Sequence, residues 1–331
     1  MRKEASITEW KKLYELATDI KALEPWKYFW DMDIIHLIDE DAYISILGHN
    51  GETYGISVYE GNRGLHDFKI LASQDELNIS PQFAMYLQNN LTCYWGDREE
   101  LSAKQRNIIK ELGYKYRGRN QWLYFMSFKT DYVPYNFDHD EVLRMTKYFS
   151  ALSKTLKLYI QNYSNVNFEQ EKMLCFSSKT EKISFEKYFS KDIGFNRIDM
   201  ANDEELIETL KQLPKKLNTI EIDILPLPIR IDDKAFDRPA NPTMCMIADK
   251  ASGMVLASEL SQPGTSAFVN LANTFVNCLF SHGLPKKVCV CNSFTAAILD
   301  DVCHVLNIKF ELKPSLCAID EAFESFGRFM L

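Results

Sequence analysis

The densest chemistry-bearing stretch of the chain runs from 104 to 129. It holds Lys104, Arg106, Lys110, Lys115, Arg117, Arg119 and Lys129 against a single acid, Glu111. Tyr114, Tyr116, Trp122, Tyr124 and Phe128 are interleaved with them. Basic groups for phosphates and aromatic rings for bases are the parts that single-strand nucleic-acid binding uses. Lys115, Arg117, Arg119 and Trp122 are the candidate contacts, with Arg117-Gly118-Arg119 in the loop ahead of a strand. The competing reading is a solvated helix face followed by a strand whose aromatics fill a core. The alternation of 121–128 favours that reading.

Other constellations are weaker. Cys289 and Cys291 alternate onto one strand face, and Cys303-His304 follows on the next helix. A soft-metal site is conceivable there, but the spacing matches no standard zinc pattern and fits core cysteines better. Five of the 13 glycines fall between Gly48 and Gly64. They fit neither the dinucleotide nor the P-loop spacing, and turns between strands explain them. No H-x-x-x-H pairing and no G-x-S-x-G elbow is present.

The elements that must position these residues fall into two halves. Trp10, Leu13, Tyr14, Ala17 and Ile20 recur at helical spacing, so 7–24 is predicted helical, with Pro25 after its end. Strands are expected near 33–38, 42–47 and 53–59, and helices near 64–73, 80–90 and 102–112. A strand at 121–128 and a long helix from 138 to about 161 complete this half. It reads as an α+β domain of unknown role, helices on an antiparallel sheet, over 1–161. The segment 89–97 is an unusual polar-aromatic run with no assigned role. Residues 162–200 read as a linker and hairpin region. From 201 to 331 the predicted order is clearer: after a short helix, β-β-β-α-β-α-β-α. Its first strand is 218–225 and its last helix 317–330.

The chain has 331 residues, 46% hydrophobic and 25% charged, which excludes global disorder. The net charge of −8 argues against a broad non-specific nucleic-acid surface. No apolar run approaches the ~18–20 residues of a membrane span. The eight scattered cysteines, with no C-x-x-C among them, and a charged N-terminus read as a reduced, cytoplasmic protein.

The second half carries a resemblance in its local words. Ile222-Asp223-Ile224 resembles the first-strand aspartate of integrase and DDE-transposase cores. Asp249-Lys250-Ala251-Ser252 resembles their second-strand D-x-x-S turn. The run Gly283-Leu284-Pro285 through Val290-Cys291-Asn292 resembles their G-x-P strand, which ends in an aspartate followed by an asparagine. Ile319-Asp320-Glu321 lies where the family carries a glutamate. Residues 217–330 therefore resemble the ribonuclease-H-like superfamily, an α/β fold with a mixed sheet. The whole chain also resembles an uncharacterised bacterial two-domain family, which implies no activity.

The first resemblance implies metal-dependent phosphodiester chemistry, in which two cations clamp the attacking and leaving oxygens. Hard cations want converging carboxylates. The implied catalytic set is Asp223, Asn292 and Glu321, and the implied Mg²⁺ or Mn²⁺ ligands are Asp223, Asp249 and Glu321. The pattern departs at Cys291-Asn292, where an aspartate is expected and Asn292 is taken as the best match. Asp320 and Glu324 compete with Glu321. Each residue also has a plain reading: Asp223 facing solvent on an alternating strand, Asp249 capping a turn, Asn292 or Ser293 capping a helix, Glu321 on a solvent face.

The expectation is a ribonuclease-H-like binding or interaction module that has lost its catalysis and needs no cofactor, with a protein partner and no membrane. The alternatives are a Mg²⁺- or Mn²⁺-dependent nuclease, and a nucleic-acid-binding protein using 104–129.

Overall fold

The structure is a computed structural model. It describes residues 2–163, 172–187, 194 and 198–330, the last five of these as backbone only. In chain order its main elements are α1 (Ile7–Ala22), β1 (Ile35–Leu37), β2 (Ala42–Leu47), β3 (Tyr54–Glu60), α2 (Gly61–Ala72) and α3 (Pro81–Tyr86). There follow β4 (Asn90–Gly96), α4 (Ala103–Glu111), β5 (Trp122–Phe128), α5 (His139–Asn162), β6 (Lys172–Ser177), β7 (Lys182–Lys187) and α6 (Glu204–Lys211). The last are β8 (Thr219–Pro226), β9 (Thr243–Asp249), β10 (Val255–Ser261), α7 (Ala267–His282), β11 (Lys287–Val290), α8 (Ser293–Val305), β12 (Lys309–Leu312) and α9 (Cys317–Met330). No helix among the described residues is long and apolar enough to cross a membrane.

The chain divides into two compact units. The first comprises Met1–Ala72, Gln88–Lys129 and Pro134–Ile193, and the second Ser73–Leu87, Thr130–Val133 and Gly194–Leu331. The sequence-based boundaries, 1–161, 162–200 and 201–331, did not anticipate that 73–87 and 130–133 leave the first unit. Residues 164–171, 188–193 and 195–197 of the expected linker lie outside the described residues.

The first unit is a seven-stranded sheet in the order β5-β4-β3-β2-β1-β6-β7. It is mixed rather than antiparallel, because β1 and β6 run parallel. The long helix α5 between β5 and β6 makes that crossover possible. Strands β6 and β7, expected within the linker region, therefore complete this sheet. Helix α1 starts with a Ser6–Glu9 capping box and buries Trp10, Leu13, Tyr14, Ala17 and Ile20. Helix α5 starts with an Asp138–Glu141 capping box. The polar-aromatic run 89–97 is β4, between β3 and β5. Its Leu91, Cys93 and Trp95 enter the core. On its other face Thr92 Oγ1 bonds Ser57 Oγ at 3.0 Å and Asn90 Oδ1 at 2.8 Å. That polar ladder masks the strand in the sequence.

The second unit has a five-stranded sheet in the order β10-β9-β8-β11-β12. Strand β9 runs antiparallel to both of its neighbours, β8 and β10, and β11 and β12 run parallel to β8. With α7, α8 and α9 the element order is the predicted β-β-β-α-β-α-β-α. Strand β8 is central and buried on both sides. Its neighbours' side chains Met244, Met246, Ala248 and Cys289 pack with Leu316, Ala318 and Ile319 at the start of α9. The opposite face of β9 meets α7, where Thr274 bonds the Cys245 thiol.

Candidate functional site

Successive β-strand residues point to opposite faces. On β8 this puts Ile220, Ile222 and Ile224 on one face and Glu221 and Asp223 on the other. The two carboxylates do not face solvent. Glu221 is 0% and Asp223 8% exposed, because α9 covers their face. The plain reading of Asp223 as a solvent-facing residue is therefore corrected: a strand with a helix layer on each face has no wet side.

The parallel register aligns Lys287 with Thr219 and Cys289 with Glu221. Two residues further on, Cys291 arrives beside Asp223. The Cys291 thiol donates to Asp223 Oδ2 at 3.0 Å. The Asn292 amide donates to Asp223 Oδ1 at 2.6 Å, and the Ile224 backbone N–H donates to the same oxygen at 2.8 Å. The carboxylate of Asp223 thus meets three donors from the chain itself. Burial pushes its pKa up to about 6, and the Asp320 charge adds to the rise. The three hydrogen bonds pull the other way. Burial also raises the Cys291 thiol, and the Asp223 charge raises it further, so the thiol stays protonated and remains a donor.

Asn292 has a second task. Its Oδ1 accepts from Thr295 N at 2.8 Å, which makes it the N-cap of α8. The helix-cap reading stands, and the other end of the same amide binds Asp223. Asn78, from the part of the N-terminal sequence that belongs to this unit, donates to the Cys291 and Lys313 carbonyls and so holds the end of β11. It lies 213 residues from Cys291 in sequence, and no spacing could have found it.

Glu221 is the acid that sequence reasoning passed over. Its Oε2 accepts from Ala318 N at 2.8 Å and Ile319 N at 3.4 Å, in the first turn of α9. Lys250 Nζ stands 3.2 Å from Oε1. That contact raises the Lys250 pKa. A carboxylate at unpaired N–H groups and the positive end of a helix is in a favourable place. The isoleucine alternation around it signalled only a shared face with Asp223.

On α9 the acid whose charge reaches Asp223 is Asp320, not Glu321. Asp320 is itself raised by burial, with Glu221 and Glu324 adding to it. Positions 320 and 324 share a helix face, and 321 is turned about 100° away. Glu321 is exposed and makes no side-chain contact with Asp223 among the described residues.

Asp249 is not brought to Asp223 either. It pairs with Ile220 while Asp223 pairs with Met246, a separation of three strand positions, or about 10 Å. Its Oδ1 accepts from Ala251 N, Ser252 N and Ser252 Oγ, and its Oδ2 from Asn218 Nδ2. These bonds close the turn and lower its pKa. The set Asp223, Asp249 and Glu321 therefore does not converge. Among the described residues no three His, Cys, Asp or Glu side chains stand close enough together to hold a metal ion.

The 104–129 patch splits by side. Residues 114–117 alternate, with Lys115 and Arg117 exposed and Tyr114 and Tyr116 turned inward. Tyr114 stacks on Tyr14 at 5.6 Å and on Tyr116 at 5.5 Å. Trp122 meets Tyr116 edge-on at 6.1 Å and lies under the Arg98 guanidinium. The rings fill core space, and Lys115, Arg117 and Arg119 remain outside.

Comparison with known proteins adds the following. Residues 10–176 match the family described as Domain of unknown function (DUF7309), and residues 206–327 match Domain of unknown function (DUF6930). No curated protein matches the chain. Weak structural similarity links it to a chain of the simian T-cell lymphotropic virus intasome in complex with PP2A regulatory subunit B56 gamma. That match has 14% identity and a TM-score of 0.25, and covers 34% of this chain and 41% of that one. The chain thus spans about two fifths of its intasome counterpart. A chain of a pre-cleavage Mos1 transpososome matches at 8% identity and a TM-score of 0.22, over 80% and 84%.

Proposed function

Since the chain belongs to the family of the domain of unknown function DUF7309, we propose its role from the geometry of the second unit. That unit is a ribonuclease-H-like scaffold whose catalytic carboxylate positions have become a hydrogen-bonded polar core, and it serves as a non-catalytic binding module. The strand order β10-β9-β8-β11-β12, with three antiparallel strands followed by two parallel ones, supports the scaffold reading. So does an aspartate on the central strand with the next parallel strand ending beside it.

One observation carries the loss of catalysis. Asn292 spends both ends of its amide inside the protein, on Asp223 and on the α8 N-terminus. A thiol donor, Cys291, takes the strand position beside Asp223. A two-cation phosphodiester site needs acceptor oxygens there, from carboxylates above all. The donor set does not fit such a pair of hard cations, and no reaction step is derived through them.

The test is calorimetric titration of the full chain with Mn²⁺, beside a nuclease assay on single- and double-stranded DNA and on RNA with Mg²⁺ or Mn²⁺. The wild type is expected to give neither saturable binding nor cleavage. Mn²⁺ binding that Asp223→Ala abolishes, together with cation-dependent cleavage, overturns the reading in favour of a nuclease.

A second reading has an observation of its own. Lys115, Arg117 and Arg119 stand on the outside of the first unit, and phosphate contacts need no stacking ring. Such binding to single-stranded nucleic acid would be electrostatic, weakening steeply with salt and lost in Arg117→Ala/Arg119→Ala. A flat salt response removes it and leaves a protein partner as the proposed ligand of the module.

A further inference from the structure

The starts of β8, β11 and β12 come level at one end of the second unit's sheet, since Lys287 pairs with both Thr219 and Lys309. The chain ahead of β8 continues this level. Lys215 bridges Leu284, and Lys286 N donates to Asn218 O at 3.0 Å. The turn after β9 joins it, where Lys250 N donates to Thr219 O at 2.9 Å. The register thus gathers Lys215, Lys216, Lys250, Lys286, Lys287 and Lys309, which are scattered in the sequence, at a single end of the sheet.

The acids of this end are already engaged. Glu221 holds Lys250 and the start of α9, Glu311 holds Lys287, and Asp249 closes its own turn. Asp300 and Asp301 lie more than a turn of α8 from its end. Lys215, Lys216, Lys286 and Lys309 are exposed and make no ion pair among the described residues. Helices α7 and α8 also end here, and cations sit favourably at helix C-termini. That accounts for some of the charge but not for what stands among it. Leu217, directly after Lys216, is 89% exposed, the most of any large apolar side chain among the described residues. Met254, whose carbonyl closes the turn that Asp249 begins, is 58% exposed.

The partner must use both kinds of group. A nucleic-acid backbone would take the lysines and leave the aliphatic tips idle, since Leu217 and Met254 offer no ring for a base to stack on. An anionic bilayer uses both: headgroups take the ammonium groups, and aliphatic tips enter the boundary between headgroups and acyl chains. With a net charge of −8, the chain as a whole is repelled by such a surface, so a segregated basic end also orients it. We propose that this end of the second unit is a peripheral docking surface for an anionic lipid bilayer. Lys215, Lys216, Lys286 and Lys309 meet the headgroups, and Leu217 and Met254 insert at the interface. Such docking needs no spanning helix, and in this it departs from the expectation of no membrane, which rested on the absence of an apolar run. It is separate from the polar core, since Asp223 lies four residues along β8 from Thr219, or about 13 Å.

The test is sedimentation of the full chain with vesicles of phosphatidylcholine, alone or with about 30% phosphatidylserine. Binding is expected only to the vesicles that contain phosphatidylserine, and it should fall as salt is raised. Lys216→Gln/Lys286→Gln should weaken it about 25-fold, roughly fivefold for each charge removed, and flatten the salt dependence. Leu217→Gln should weaken it about fivefold and leave the salt dependence unchanged. Arg117→Ala/Arg119→Ala, on the first unit, should bind as wild type does. All these side chains are exposed, and thermal unfolding establishes that the variants fold. Absence of binding to the phosphatidylserine vesicles overturns the proposal, as does binding indifferent to the substitutions in the second unit. Single-stranded DNA that binds through the same lysines while the vesicles are ignored also overturns it, and makes this end a nucleic-acid surface instead.

Discussion

The Asn292 amide joins two structures that the sequence presents separately: its nitrogen lies 2.6 Å from Asp223 Oδ1 while its oxygen caps α8. The buried Asp223 carboxylate is thereby committed to internal bonds. Cys291 completes the arrangement from the strand position beside Asp223.

Placing a carboxylate at that strand position is the sharpest probe. Cys291→Asp replaces a donor by a second acid about 3 Å from Asp223. Two adjacent carboxylates cannot both ionise in a buried site without a counter-charge. The variant should lose about 2–4 kcal/mol at neutral pH. Mn²⁺ should recover part of that loss, since a cation that binds only the folded state stabilises it. Thermal unfolding with and without Mn²⁺ measures both effects. A variant as stable as wild type, with no response to Mn²⁺, places the two side chains further apart than the 3.0 Å between Cys291 Sγ and Asp223 Oδ2.

Asp223 also sets a pH dependence. Its folded pKa is raised from 3.8 to about 6, so between these values the folded state holds more protons than the unfolded one. Stability from this group is therefore fully present below about pH 4 and is lost as pH rises to about 6. Two pKa units correspond to about 3 kcal/mol. Asp223→Asn removes the titration, so its stability relative to wild type should rise by up to that amount across the same window. Chemical denaturation at pH 4.5 to 7, compared between the two proteins, reads the difference directly. Parallel pH profiles refute the assignment.

Glu221 should behave as an anchor for α9. Glu221→Ala leaves Ala318 N and Ile319 N without their acceptor and opens a space beneath the helix start. A loss of about 2–3 kcal/mol is expected. Glu221→Gln keeps an acceptor oxygen and should cost less, because the half-exposed Lys250 can turn to water. Hydrogen exchange should show faster opening of residues 317–322 in the alanine variant alone. Equal protection in both variants would mean that packing, not the carboxylate, holds the helix.

The legible part of this protein was its periodicity. Element order in the second unit followed from runs such as 218–225 and 287–291 and the breaks at Gly253 and Pro285. The resemblance singled out Asp223. Register was not legible: the pairing of Lys287 with Thr219 decides that Cys291, rather than Asn292, takes the place beside Asp223. Helix rotation was not legible either, since Asp320 and Glu321 differ only by which side of α9 faces the sheet. Glu221 looked like a solvent residue because an alternating strand reads alike whether its polar side meets water or a helix N-terminus. In the first unit, β4 stayed hidden because Asn90 and Thr92 satisfy each other across a buried face.

The basic-aromatic stretch supplies a last separation of roles. Tyr116 lies between Tyr114 and Trp122, whereas Arg119 is exposed. Tyr116→Ala should remove packed ring contacts and cost about 2–4 kcal/mol. Arg119→Ala should change stability by less than about 0.5 kcal/mol, as for surface positions in general. Denaturant midpoints of the two variants check this division. If instead Tyr116→Ala is neutral in stability but weakens binding to single-stranded nucleic acid, its ring belongs to a stacking surface, and the nucleic-acid reading of this stretch regains the aromatic half that the core has claimed.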